Sequence, residues 1–135
     1  MKLFALFTTI LFVHAGSMVS AQTSPAGAAI TWEKNSHDFG EIKEGEKVEH
    51  TYKFTNTGSE DLVITNVQVT CGCTTPKGWP RDPIAPGKKA DIIVQFNSTG
   101  KIGRQNKVVT VISNAAAGNS QITFTATVLE KKAQH

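Results

Sequence analysis

From Lys47 to Thr55 the chain alternates without a break: Val48, His50, Tyr52 and Phe54 share one phase, and Lys47, Glu49, Thr51 and Lys53 the other. A period of two over that length describes a strand with one face buried and one face in water. The alternation returns in Ala90, Ile92, Val94 and Phe96, and once more in Ile122, Phe124, Ala126 and Val128. Turn-forming clusters interrupt these runs about every ten residues, the spacing of an all-β domain. They include Glu44-Gly45-Glu46, Asn56-Thr57-Gly58-Ser59, Ile84-Ala85-Pro86-Gly87 and Ala115 to Asn119. Beyond the N-terminal segment no window carries the period of an amphipathic helix. Short strands with regular turns predict an all-β chain, folded as an immunoglobulin-like antiparallel β-sandwich of about seven strands.

Finer expectations follow from individual residues. Ile30-Thr31-Trp32 is a short first strand, and Leu62 to Thr70 is a later one whose phase changes near Thr65-Asn66, the mark of a β-bulge. Ala90 to Phe96 has two faces of similar character, with Asp91, Ile93 and Gln95 on the second, and is expected in the middle of a sheet. Thr75 to Pro83 carries Pro76, Gly78, Pro80 and Pro83 around Trp79 and is predicted to be a long ordered loop rather than a strand. In the Asn56-Thr57-Gly58-Ser59 turn Gly58 is able to take a positive φ without penalty.

The N-terminus reads as an export signal: Lys2, then apolar Leu3 to Val13, then Val19-Ser20-Ala21 with small side chains at the cleavage positions. The apolar stretch, about 11 residues, is shorter than the ~20 that span a bilayer. Residues 1–21 are therefore expected to leave as a signal peptide, residues 22–29 to form a flexible lead-in, 30–130 the sandwich and 131–135 a polar tail. No membrane span is expected after cleavage. Loss of Lys2 lowers the formal charge from +3 to +2. That balance gives no reason to expect a nucleic-acid partner.

The chain holds two cysteines, Cys71 and Cys73, with Gly72 between them. Three chemistries are open to such a pair. In an extended strand their Cα atoms lie about 6.6 Å apart, near the upper limit for a disulfide, and a turn at Gly72 brings them closer. Two thiolates are also half of a soft-metal site suited to copper or zinc. The remaining ligand candidates are His37, His50 and His135, of which the first two fit packing roles better. Enzymatic thiol exchange fits least, because oxidoreductases place Cys-x-x-Cys at a helix N-terminus and this chain has neither. No catalytic constellation appears elsewhere, so the chain is not expected to be an enzyme.

His37-Asp38-Phe39-Gly40, Tyr52-Lys53-Phe54-Thr55-Asn56-Thr57-Gly58, Cys71-Gly72-Cys73-Thr74, Ile84-Ala85-Pro86-Gly87, Val94-Gln95-Phe96-Asn97 and Gly103 form a series. It resembles the DUF1573 family of exported bacterial proteins, itself similar to ASH and Hydin-like immunoglobulin-fold modules. The resemblance runs from about Trp32 to Leu129. It implies the fold and an exported location, in the periplasm or outside the cell, and it carries no catalytic residues. In such modules the turns at Asn56, Gly58, Pro86 and Gly87 serve the fold. The expectation is a non-enzymatic module that binds a protein or cell-envelope component through a sheet edge or the Cys71 to Pro83 loop, where Thr74 and Trp79 are the candidate contacts. The alternative is a copper- or zinc-handling or redox-responsive protein acting through Cys71 and Cys73.

Overall fold

A computed structural model of the chain describes residues 13, 15–18 and 25–132. The expected signal segment and its cleavage point after Ala21 lie outside the described residues except at those few positions, and so does His135. Eight strands follow in order: β1 (Ile30–Trp32), β2 (Ser36–Lys43), β3 (Lys47–Asn56), β4 (Ile64–Val69), β5 (Thr74–Gly78), β6 (Lys89–Asn97), β7 (Gly103–Ser113) and β8 (Ser120–Leu129). They form two four-stranded sheets, ordered β1-β3-β6-β5 and β2-β8-β7-β4. Every pairing is antiparallel except β2 with β8.

The chain is an immunoglobulin-like β-sandwich. Eight strands stand where about seven are expected because Thr74–Gly78, expected in a loop, is a strand. β1 pairs with β3 in one sheet, and after Glu33–Asn35 the chain crosses to pair β2 with β8 in the other. The alternating phases supply the core. Tyr52, Phe54, Ile92, Val94 and Phe96 from one sheet meet Val109, Val111, Ile122, Phe124, Ala126 and Val128 from the other, all buried. Two side chains tie the sheets with polar contacts. The Tyr52 hydroxyl donates to the carbonyl of Thr123 at 2.8 Å, and Trp32 Nε1 donates to Ser120 Oγ at 3.0 Å. Burial pushes the Tyr52 phenol well above its ordinary value.

β6 is central, between β3 and β5. The bulge foreseen near Thr65-Asn66 is present as a register shift between Ile64 and Asn66. It keeps Ile64 and Val67 both buried although they are three positions apart, an odd offset that would otherwise place them on opposite faces. The strand itself is shorter than expected, because Leu62 stands apart in a bridge to Ile84.

One expectation is corrected. Thr74 to Gly78 is a strand and not part of a loop: it pairs with β6 through Thr74↔Phe96, Thr75↔Gln95, Pro76↔Val94 and Gly78↔Ile93. The prolines misled because β5 is the last strand of its sheet, where a missing N–H is tolerated and a register shift follows Pro76. Gly58 does not take a positive φ. Its need for glycine is steric: a Cβ there would stand 2.1 Å from the carbonyl oxygen of Gly27 and 2.6 Å from the nitrogen of Ala29.

Candidate functional site

Between Val69 and Thr74 the chain leaves one sheet and enters the edge of the other. The passage is a tight turn in which the Thr74 amide donates to the Cys71 carbonyl at 3.1 Å. It brings the two cysteine Cα atoms to 5.1 Å, and the sulfurs are joined as a disulfide. The Cys73 amide donates to Cys71 Sγ at 3.1 Å. The Asn97 amide donates to the Cys73 carbonyl at 2.8 Å, which fastens the turn to the end of β6. Closing so few residues contributes only about 1.6 kcal/mol in the chain-entropy account, little for a domain of this size.

The sulfurs are spent on each other, so soft-metal binding by Cys71 and Cys73 belongs to the reduced chain. Among the described residues no three His, Cys, Asp or Glu side chains converge on a metal position. Thr74, offered by the sequence as a partner contact, is 4% exposed. It begins β5 with its side chain turned inward, which the loop expectation for this segment concealed.

Trp79 follows β5 directly. It is half-buried and packed against the core. Gly78 lies opposite Ile93 while Cys73 is bonded at Asn97, so Trp79 sits beside the middle of β6 and not over the cysteine turn. The Arg81 guanidinium stands 3.7 Å from the centre of the indole ring, a cation–π contact. The indole N–H is buried and meets no acceptor among the described residues. Gly78, Trp79, Pro80, Ala90, Asp91 and Ile93 line a shallow depression of about 330 Å³. The sequence singles out Trp79 but not Arg81; the spacing i, i+2 in a proline-bracketed segment was the available signal.

The two histidines meet. His37 from β2 and His50 from β3 stack with ring centres 3.7 Å apart and planes within 8°. Phe39 meets His37 edge-on at 4.6 Å, and Tyr52 meets His50 edge-on at 4.7 Å. The pair joins the two sheets at the side where β2 ends its sheet and β1 is too short to cover β3. Burial, then the neighbouring His37 and Lys34, hold His50 below the ordinary histidine value. Sequence places His50 in the inward phase, but its partner comes from the other sheet and no local pattern announces it.

A family model matches residues 30–128, nearly the whole sandwich, and its description is a protein of unknown function, DUF1573. The chain belongs to the DUF1573 family. No curated protein matches it. Among solved structures, a protein of unknown function from Porphyromonas gingivalis W83 is 16% identical with a TM-score of 0.64, over 82% of this chain and 51% of that one. The ASH/PapD-like domain of human CEP192 is 10% identical with a TM-score of 0.58, over 97% of this chain and all of that domain. The VesB protease of Vibrio cholerae is 14% identical with a TM-score of 0.57, over 75% of this chain. This chain spans 31% of VesB and 24% of the related VesC protease. At these identities the likeness is one of fold.

DUF1573 membership and the sandwich together account for the motif residues that have no chemistry. Asn56 is fully buried. Its Oδ1 accepts from the amides of Ala29 and Gly58, and its Nδ2 donates to the carbonyls of Glu60 and Ile84. Its own backbone takes part in bonds with Gly87 and Lys88 of the second turn. Gly87 reaches that position at φ 79°, a conformation suited to glycine. The Asn-Thr-Gly and Pro-Gly turns of this DUF1573 chain are therefore two halves of one buried polar junction.

Proposed function

We propose that the protein is an exported, non-enzymatic immunoglobulin-like module that binds a protein or cell-envelope component along the β5 edge, with Trp79 and Arg81 as the contact centre. The carrying observation is the Trp79–Arg81 stack beside a shallow depression at the margin of a sheet. Tryptophan and arginine are the residue types that dominate binding energy at interfaces, and here each holds the other in place before a partner arrives. Pro76 and the register shift after it suit an edge that avoids indiscriminate strand pairing. Recognition is accordingly by side chains and not by strand addition. Export is supported by the disulfide, which persists in oxidising compartments, together with the signal-like N-terminus.

The test compares the native chain with a Trp79→Ala/Arg81→Ala double variant as bait in cell-envelope extract. The variant is expected to weaken capture of a reproducible partner by about tenfold or more. Unchanged capture by a folded variant, or no reproducible partner for the native bait, rejects the reading.

A further inference from the structure

The two sulfurs of the disulfide have unlike surroundings. Cys71 Sγ accepts the Cys73 amide N–H at 3.1 Å, a contact that strengthens if the sulfur becomes negative. Cys73 packs against the apolar core. Its sulfur meets the Thr74 hydroxyl at a long 3.9 Å, and Thr74 is itself buried. A thiolate is favoured at the first position by the amide dipole and disfavoured at the second by apolar surroundings. In thiol–disulfide exchange the sulfur that better carries negative charge leaves faster.

We infer that the Cys71–Cys73 disulfide is a thiol-exchange site of fixed polarity, the electron acceptor for a dithiol reductant, with Cys73 the sulfur attacked and Cys71 the sulfur that leaves. The attacking thiolate bonds to Cys73 Sγ, the Sγ–Sγ bond breaks, and its electron pair stays on Cys71 Sγ, held by the Cys73 amide. The second thiol of the reductant, once deprotonated, then attacks its own sulfur in the mixed disulfide and expels the Cys73 thiolate. Two electrons and two protons pass to the chain, and the reductant leaves as a disulfide. The chain is the substrate of this exchange and not its catalyst.

Access works against this polarity, since the Cys73 side leans on the core, while the leaving-group effects both favour it. The β5–β6 ladder begins at Thr74↔Phe96 and does not depend on the bond. Reduction therefore frees the turn without opening the sandwich.

The polarity is read on the native, folded chain in two ways. Oxidised protein is exposed to glutathione, quenched within seconds by N-ethylmaleimide and acid, and the adduct is located by peptide fragmentation. Glutathione on Cys73 is expected to exceed that on Cys71 by about fivefold or more. Separately, chain reduced by a phosphine and shown by circular dichroism to remain folded is alkylated with limiting iodoacetamide near neutral pH. Cys71 is expected to react faster by a similar factor. Glutathione mainly on Cys71, equal or reversed alkylation, or a disulfide that glutathione and dithiothreitol reduce only after denaturation overturns the inference.

Discussion

At the Lys89 end of β6 the sandwich is closed by a buried asparagine, and at the Asn97 end by a disulfide turn. The two ends are roughly 27 Å apart at the usual rise of an antiparallel strand. At the first, one side chain satisfies four backbone groups from three segments. Gly58 lies so close to Gly27 and Ala29 that no side chain fits. At the second, a covalent bond joins residues that are almost neighbours, and a Cβ on Gly72 would meet nothing within 4 Å. Long-range hydrogen bonds constrain the whole domain, whereas a bond across one residue constrains only its own turn. Stability is thus concentrated at the asparagine end, and the cysteine end is left able to change.

The hardest test of that contrast is Asn56→Ala. It leaves the amides of Ala29 and Gly58 and the carbonyls of Glu60 and Ile84 without their partner in a dry site. Unfolding free energy is expected to fall by about 4 kcal/mol, read from urea denaturation at constant m-value. A loss below about 1 kcal/mol, the worth of one ordinary hydrogen bond, would mean that water replaces the side chain and the junction is not the anchor described.

Glycines at the two ends give a matched comparison. Gly58→Ala forces the Gly27–Ala29 segment away and is expected to cost about 3 kcal/mol, as overpacking does. Gly72→Ala adds a methyl group to open space at a residue without a positive φ and should stay within about 0.5 kcal/mol. Equal costs at both positions would erase the distinction.

Much of the fold was legible because alternation survives wherever one face is buried. The Lys47–Thr55, Ala90–Phe96 and Gln121–Leu129 strands were plain for this reason, and the phase change at Thr65-Asn66 betrayed its bulge. β5 was hidden because an edge strand has one partner and tolerates proline. At the candidate site, Cys71, Cys73 and Trp79 were visible as residue types. Their arrangement was not: Thr74 turns inward, Arg81 covers Trp79, and the His37–His50 stack joins strands of different sheets. Contacts across the sandwich leave no periodic trace along the chain.

Replacing both cysteines by serine examines the other end directly. The small ring predicts a loss of about 1.6 kcal/mol or less, with amide exchange accelerated at Asn97 and unchanged at Gly58. A larger loss, or faster exchange reaching the Asn56 junction, would show that the disulfide supports the whole domain after all.

The smallest effect concerns the middle of β6, where Val94 pairs with His50. His50 is held below its ordinary value of 6.5 in the folded chain, so the unfolded chain takes up its proton first as pH falls. Below about pH 6.5 the unfolded state thus binds more protons, and stability declines until the folded His50 also titrates. The charged and titratable neighbours that oppose protonation are His37 on the facing strand and Lys34 in the crossover before β2. Stability measured between pH 7.5 and 5 should therefore fall for the native chain and fall less for His50→Gln, which keeps a polar side chain without the charge. Because the histidine stack joins the sheets far from both ends, amide exchange at Gly58 and Asn97 should change together on acidification. If Asn97 alone responds, the acid-sensitive group belongs to the cysteine end and not to the stack.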